Sequence, residues 1–191
     1  LSGKEKDNWG RGSREVIDLL TTLGVKRIIT VGGVHQAIPH TRDPYIYGAV
    51  NNASLKGLLE KANVRYGNLN SSSSFNAVLL SIAARRGLDG IGLAVGIPDY
   101  WQYFSVGYPR GSQMLLRTLE KMLDIDFDSG SLGEDVFVVD QDVAKIMERN
   151  PTLKERLLSL ENSYDKKTQV EEDSMGVRRI LDFLENPVDP T

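Results

Sequence analysis

A chain of 191 residues, 40% hydrophobic and 26% charged, has the size of one globular domain with room for an appendage and for a substantial core. A net charge of −3 leaves no surplus of Lys and Arg to neutralise phosphates, so nucleic acid is not an expected partner. The absence of cysteine excludes disulfides and thiolate metal sites and fits a cytoplasmic compartment, and no apolar run approaches the length of a membrane span, so no membrane partner is expected.

The chain opens on Leu1 rather than Met, with no signal-peptide pattern, so further residues upstream are expected. Residues 1–12 are polar with glycine and read as a frayed linking segment. Ser13 reads as an N-cap, followed by a helical stripe of Val16, Ile17, Leu19, Leu20 and Leu23 that Gly24 ends. Residues 27–31 (RIITV) predict a buried strand stopped by Gly32 and Gly33. Residues 45–50 (YIYGAV) predict a second. Asn52 is placed to cap a helix over 53–62, with Leu55, Leu58 and Leu59 inward, and residues 64–66 predict a brief strand. A strong helix follows over 75–86, carrying Phe75, Val78, Leu79, Ile82 and Ala83 on one face and ending at Gly87. Residues 91–95 form another apolar strand. An aromatic loop over 98–109 then leads to a helix reaching about residue 123, with Met114, Leu115, Leu119 and Met122 inward.

Strands alternating with helices indicate an α/β fold, a three-layer sheet with helices on both faces. Only three or four strands are visible, fewer than a usual sheet, so more are expected from residues upstream. From Asp124 onward the pattern is helical alone. Val136, Val139, Val143, Ile146 and Met147 make one stripe; Leu153, Leu157, Leu160 and Tyr164 a second; Val177, Ile180, Leu181 and Leu184 a third. Pro151 and the acidic residues 171–173 are expected to separate them. The expected organisation is therefore an α/β core over 1–123 and a helical extension over 124–191. Each stripe must lie on something, either the α/β body or a partner subunit.

Three segments have residues that bear on chemistry. His40, Thr41, Arg42 and Asp43 are consecutive polar groups between hydrophobic segments. They either organise a packed crossover loop through hydrogen bonds and an ion pair, or form an anion or partner site with Arg42 as donor and His40 as a titratable neighbour. The serine run 71–74, with Ser72, Ser73 and Ser74 ahead of a helix, must supply an N-cap and offers an anion cradle, although it lacks the Walker ending and the hydrolase elbow. Asp99, Tyr100, Trp101 and Tyr103 follow a strand, at the end of the sheet where α/β proteins place ligands, and are also residue types that protein interfaces favour. His35 and His40, five residues apart with no acid at metal-binding spacing, make no zinc motif. No triad, paired carboxylates or metal cluster can be assembled, so neither metal nor cofactor is expected and enzymatic activity has no positive support.

The order of segments is recognisable. VGGVHQAIPHTRDPYIYGAV, a helix, SSSSFNAVLLSIAARRGLDGIGLAVGIPDY and YPRGSQMLLRTLEKMLDIDFD together resemble the PAC2 (proteasome assembly chaperone 2) family, and the PHTR stretch at residues 39–42 is most similar to its actinobacterial-type members. The helical tail ERNPTLKERLLSLENSYD, closing on RRILDFLEN, is similar as well. The resemblance covers nearly the whole chain from Trp9. It implies a phosphorylase/hydrolase-like α/β domain with an additional N-terminal α/β portion, appended C-terminal helices, self-assembly, and, in archaeal and eukaryotic relatives, chaperoning of proteasome α-subunits. Two features depart from the family. Relatives that engage the proteasome can end in a hydrophobic–tyrosine–any-residue tail, where this chain reads NPVDPT, and their segment before the long helix is commonly glycine-rich, where this one is serine-rich.

Two functions follow as expectations. The first is a homo-oligomeric, cytoplasmic protein that binds other proteins, proteasome-related ones among them, as an assembly chaperone or scaffold. The alternative is an enzyme or sensor for a small anionic, nucleoside-like metabolite. That second reading requires residues 39–42, 71–74 and 99–100 to converge on one pocket, since kinship of fold alone does not confer activity.

Overall fold

The computed structural model describes residues 3–67, 74–127 and 130–185, and side chains within 8–67, 74–127 and 132–170. In chain order the elements are α1 (Gly3–Thr22), β1 (Arg27–Gln36), β2 (Ile46–Val50), a 3₁₀ turn (Ala53–Leu55), α2 (Lys56–Lys61), β3 (Arg65–Tyr66), α3 (Phe75–Arg85), β4 (Asp89–Pro98), a second 3₁₀ turn (Asp99–Tyr103), α4 (Pro109–Leu123), α5 (Gly130–Glu148) and α6 (Pro151–Glu185). The four strands form one mixed sheet in the order β1-β4-β2-β3. β1 and β4 run parallel over ten residues, from Arg27 opposite Asp89 to Gln36 opposite Pro98. β2 is antiparallel to β4 and parallel to β3.

β4 lies between β1 and β2 in the sheet, and its apolar residues form the centre of the main core. Ile91, Leu93 and Val95 are buried with Ile46, Leu55, Leu59, Val64 and Met122, and Met114, Leu115 and Leu119 of α4 close over them. A second core sets Ile17 of α1 and Ile28 of β1 against Leu79, Ile82 and Ala83 of α3. Burial of this kind stabilises by about 25 cal/mol per Å² of apolar surface removed from water. Gly24 (φ +75°) and Gly87 (φ +74°) supply the left-handed turns after α1 and α3. Asn52 and Ser74 cap as expected, accepting the Ser54 and Ala77 backbone N–H groups.

Several expectations need correction. Residues 3–12 belong to α1 rather than to a frayed linker, and Ser13 is not its cap. It is a fully buried residue inside the helix, one turn before Ile17 on the buried face, and its hydroxyl has no partner among the described residues. A small side chain suits that packed position, and this requirement outweighs local capping preference. Of the predicted stripe, Ile17 and Leu20 face the core, whereas Val16, Leu19 and Leu23 are exposed.

β1 does not stop at Gly32 and Gly33, nor is it buried throughout. Both glycines are strand residues. A Cβ on Gly33 would lie 2.3 Å from the Ile97 side chain of the neighbouring strand, so glycine here answers a close approach rather than a turn. The acidic residues 171–173 do not divide the last helices: α6 is continuous from Pro151 to Glu185.

Candidate functional site

The loop leaving β1 descends into the protein before it reaches β2. Ile38, Pro39 and His40 are all buried, and His40 is 3% exposed. Burying an imidazole requires partners, and the 3₁₀ turn after β4 supplies them. The His40 backbone N–H donates to the Tyr100 hydroxyl oxygen at 2.8 Å, and the Tyr100 hydroxyl lies 2.8 Å from His40 Nδ1. With its oxygen engaged by the N–H, the hydroxyl is free to donate its own proton to Nδ1, which assigns the hydrogen of the neutral ring to Nε2. Burial lowers the His40 pKa below its usual 6.5, against a nearby Asp140 that raises it, with Arg110 lowering it and Glu161 raising it more weakly. Burial likewise pushes the Tyr100 phenol upward, so it remains a neutral donor.

Trp101 packs beside His40, its ring centre 5.7 Å away. Its indole N–H donates to the Val106 and Gly107 carbonyls at 3.3 and 3.2 Å. Trp101 and Tyr100 form a third core with Val143 and Met147 of α5, against which Leu153, Leu157 and Leu160 of α6 pack. Val139, Val143 and Met147 of α5 and Leu153, Leu157 and Leu160 of α6 therefore lie on the aromatic turn of the α/β body, whereas Ile146 is exposed and the side chains of the stripe over 177–184 lie outside the described residues.

Thr41 and Arg42 meet α6 directly. The Thr41 hydroxyl donates to Glu161 at 2.5 Å. The Arg42 guanidinium makes a two-pronged contact with the Asp165 carboxylate, 2.9 Å on each side, and lies 3.6 Å from Glu161. This bond to Arg42 holds the Asp165 carboxyl below its usual pKa. The Tyr164 hydroxyl donates to the Asp43 carbonyl at 2.7 Å, and its ring stacks on Tyr45 with centres 4.8 Å apart. Asp99 accepts from Arg156 at 2.5 Å. Arg110 of α4 pairs with Asp140 of α5 and lies 3.6 Å from Asp43. The loop and the aromatic turn are thus clasped by side chains from α4, α5 and α6.

The candidate residues separate by location. His40, Tyr100 and Trp101 are in mutual contact. Thr41, Arg42 and Asp99 are engaged by α6. Ser74, besides capping α3, lines a different cavity of about 530 Å³ on the sheet face, walled by Thr30, Gly32, Tyr47 and Tyr66. That cavity includes none of residues 39–42 or 99–100, so the three segments do not share one pocket among the described residues. Ser72 and Ser73 lie outside the described residues. Tyr103 is 75% exposed and points away from the core that holds Trp101. Arg42, expected either in a loop-organising ion pair or as an anion donor, holds Asp165.

Sequence reasoning did not single out Glu161, Asp165, Arg110, Asp140 and Arg156. The available signal was Glu161, Tyr164, Asp165 and Thr168, whose spacings of three, four and seven residues place them on one helical face. A prediction follows for the clasp. Arg42 and Asp165 are 38% and 52% exposed, so solvent screens the pair. Arg42→Ala is expected to lower the thermal midpoint by no more than about 3 °C. The difference should shrink in 1 M NaCl, because salt already weakens the pair in the parent; a difference insensitive to salt would contradict this account.

Residues 1–147 match the PAC2 family. No curated protein matches the chain. Among solved structures, a Mycobacterium tuberculosis protein of unknown function is similar at 24% identity and a TM-score of 0.74, over 87% of this chain and 55% of that one. A proteasome-assembly chaperone homologue from the same organism is 18% identical, with a TM-score of 0.64 over 78% of this chain and 61% of its own. An archaeal proteasome activator from Pyrococcus furiosus is 20% identical, with a TM-score of 0.63 over 76% and 60%. These likenesses establish a shared fold, and the chain spans only 55–61% of the length of those three structures.

Proposed function

The chain belongs to the PAC2 family, and from that premise we propose that it works by binding other proteins, as an assembly chaperone or scaffold that acts as a homo-oligomer in the cytoplasm. Relatives of the same fold include a proteasome-assembly chaperone homologue and a proteasome activator, which makes proteasome-related subunits the first partners to test. Among the described residues no helix is long and apolar enough to cross a membrane.

The observation that carries this reading is β1. Among the described residues this ten-residue strand pairs with β4 alone, and Val31 and Val34 stand exposed on it. An open strand edge with apolar side chains is a surface that accepts another strand, from a further part of the polypeptide or from a second protein. Phe137 and Val138 on α5 add an exposed apolar pair. Residues 124–191 act in this reading as a helical extension, of which α5 and the first turns of α6 pack on the aromatic turn.

Native mass spectrometry of the full-length protein, gently purified from its own host, tests the proposal. The expected result is an oligomer carrying a second protein in fixed stoichiometry. A lone chain, or an oligomer with only a small-molecule mass, would overturn it.

A further inference from the structure

α5, α6, α4 and the β1–β2 loop line a solvent-open cavity of about 440 Å³, within the range of about 300–1,000 Å³ typical of small-molecule sites. It is separate from β1 and from the outer face of α5, the surfaces on which the protein-binding reading rests. Its apolar wall consists of Ala144, Met147, Leu157 and Leu158. Its polar wall includes His40, Arg110, Asp140 and Lys154.

The chemistry of that polar wall is uneven. Arg110 and Asp140 neutralise one another. His40 is 97% buried by the complement of its 3% exposure; its Nδ1 is engaged by Tyr100, and its Nε2 has no partner among the described residues. The assigned tautomer makes that nitrogen an N–H donor, accessible from the cavity that His40 lines. Lys154, on the exposed turn where α6 begins, forms no ion pair among the described residues and adds a cation to the rim. Glu148, also on the rim, disfavours an anion at its own end and so sets the direction in which one enters.

We propose that this cavity binds a small monocarboxylate with an apolar chain. One carboxylate oxygen accepts from His40 Nε2, the charge is balanced by Lys154, and the chain lies along Met147, Leu157 and Leu158. Because the walls come from four separate elements, the occupant also ties α5 and α6 to the loop.

The test is calorimetric titration of the full chain with octanoate, with octanamide as the uncharged control. Saturable one-site binding below about 1 mM is expected, with octanamide at least five-fold weaker and Lys154→Ala weakening octanoate three- to ten-fold. His40→Phe should weaken it further. Since that change touches the core, Leu158→Trp provides the second variant: Leu158 is half exposed, and the larger ring fills the cavity and should abolish binding in a folded protein. Absence of saturable binding, equal affinity for octanamide, or binding unaffected by Leu158→Trp would each overturn the proposal. None of these outcomes alters whether a protein partner is carried.

Discussion

Trp101→Ala lowers the stability of the full chain by about 3–5 kcal/mol, the range for removing a buried large aromatic side chain, while Tyr103→Ala changes it by less than about 0.5 kcal/mol. The two residues are neighbours in an aromatic segment and are indistinguishable by composition, but Trp101 is 5% exposed and Tyr103 75%. Trp101 contacts Phe104, Tyr108 and His40 and forms the floor on which α5 rests. Its removal leaves a void under Val143 and Met147 and frees two carbonyls that accepted its N–H. Urea unfolding followed by far-UV circular dichroism measures the difference without relying on the indole that has been removed. Equal midpoints for Trp101→Ala and the parent would mean that the helical extension is held by other contacts. Tyr103, by contrast, is the residue in this segment whose loss should affect association without affecting folding.

Acidification destabilises the protein through His40. Its folded pKa is lowered by burial, ahead of the opposing pull of Asp140 and the smaller effects of Arg110 and Glu161. The unfolded chain titrates near the ordinary value of about 6.5. Between the folded and unfolded values the unfolded state binds the extra proton, so stability rises with pH through that window and is lost as pH falls below about 6.5. The slope approaches about 1.4 kcal/mol per pH unit for one such group. Urea midpoints measured from pH 7.5 to 5 should fall in the parent and stay nearly flat in His40→Gln. Carboxylates such as Asp165, held low by Arg42, lose their contribution only at more acidic pH, so the two effects are separable. Parallel profiles for parent and variant would show that His40 is not the group responsible.

Much of this architecture was legible locally. The strand at β4, the helix at α3 with its Ser74 cap, and the glycine endings at 24 and 87 all follow from apolar periodicity and turn chemistry, because in those segments local preference and tertiary packing agree. The failures share a cause. Ser13 looks like a cap, and Gly32 with Gly33 looks like a stop, only while the neighbours are unknown. Once α3 packs on α1 and Ile97 crowds β1, a small buried residue and a strand glycine are what the packing requires. The site was half legible. The polar tetrapeptide 40–43 announced that it needed partners, but its carboxylates, Glu161 and Asp165, lie more than a hundred positions away, and no spacing rule links residues at that range.

That separation also sets an order of events during synthesis. Thr41 is joined to Glu161 across 120 positions and Arg42 to Asp165 across 123. As the polypeptide leaves the ribosome, β1, β2, α3 and β4 are all complete before either carboxylate has been made. The sheet therefore assembles around an unfastened loop, and α6 closes on it afterwards, bearing the loop-closure entropy of a long span against an already formed surface. Until then the aromatic turn and the buried histidine are open to water. A nascent or stalled chain lacking α5 and α6 leaves Trp101 and His40 without the helices that cover them, a feature that quality-control machinery can distinguish from the folded molecule.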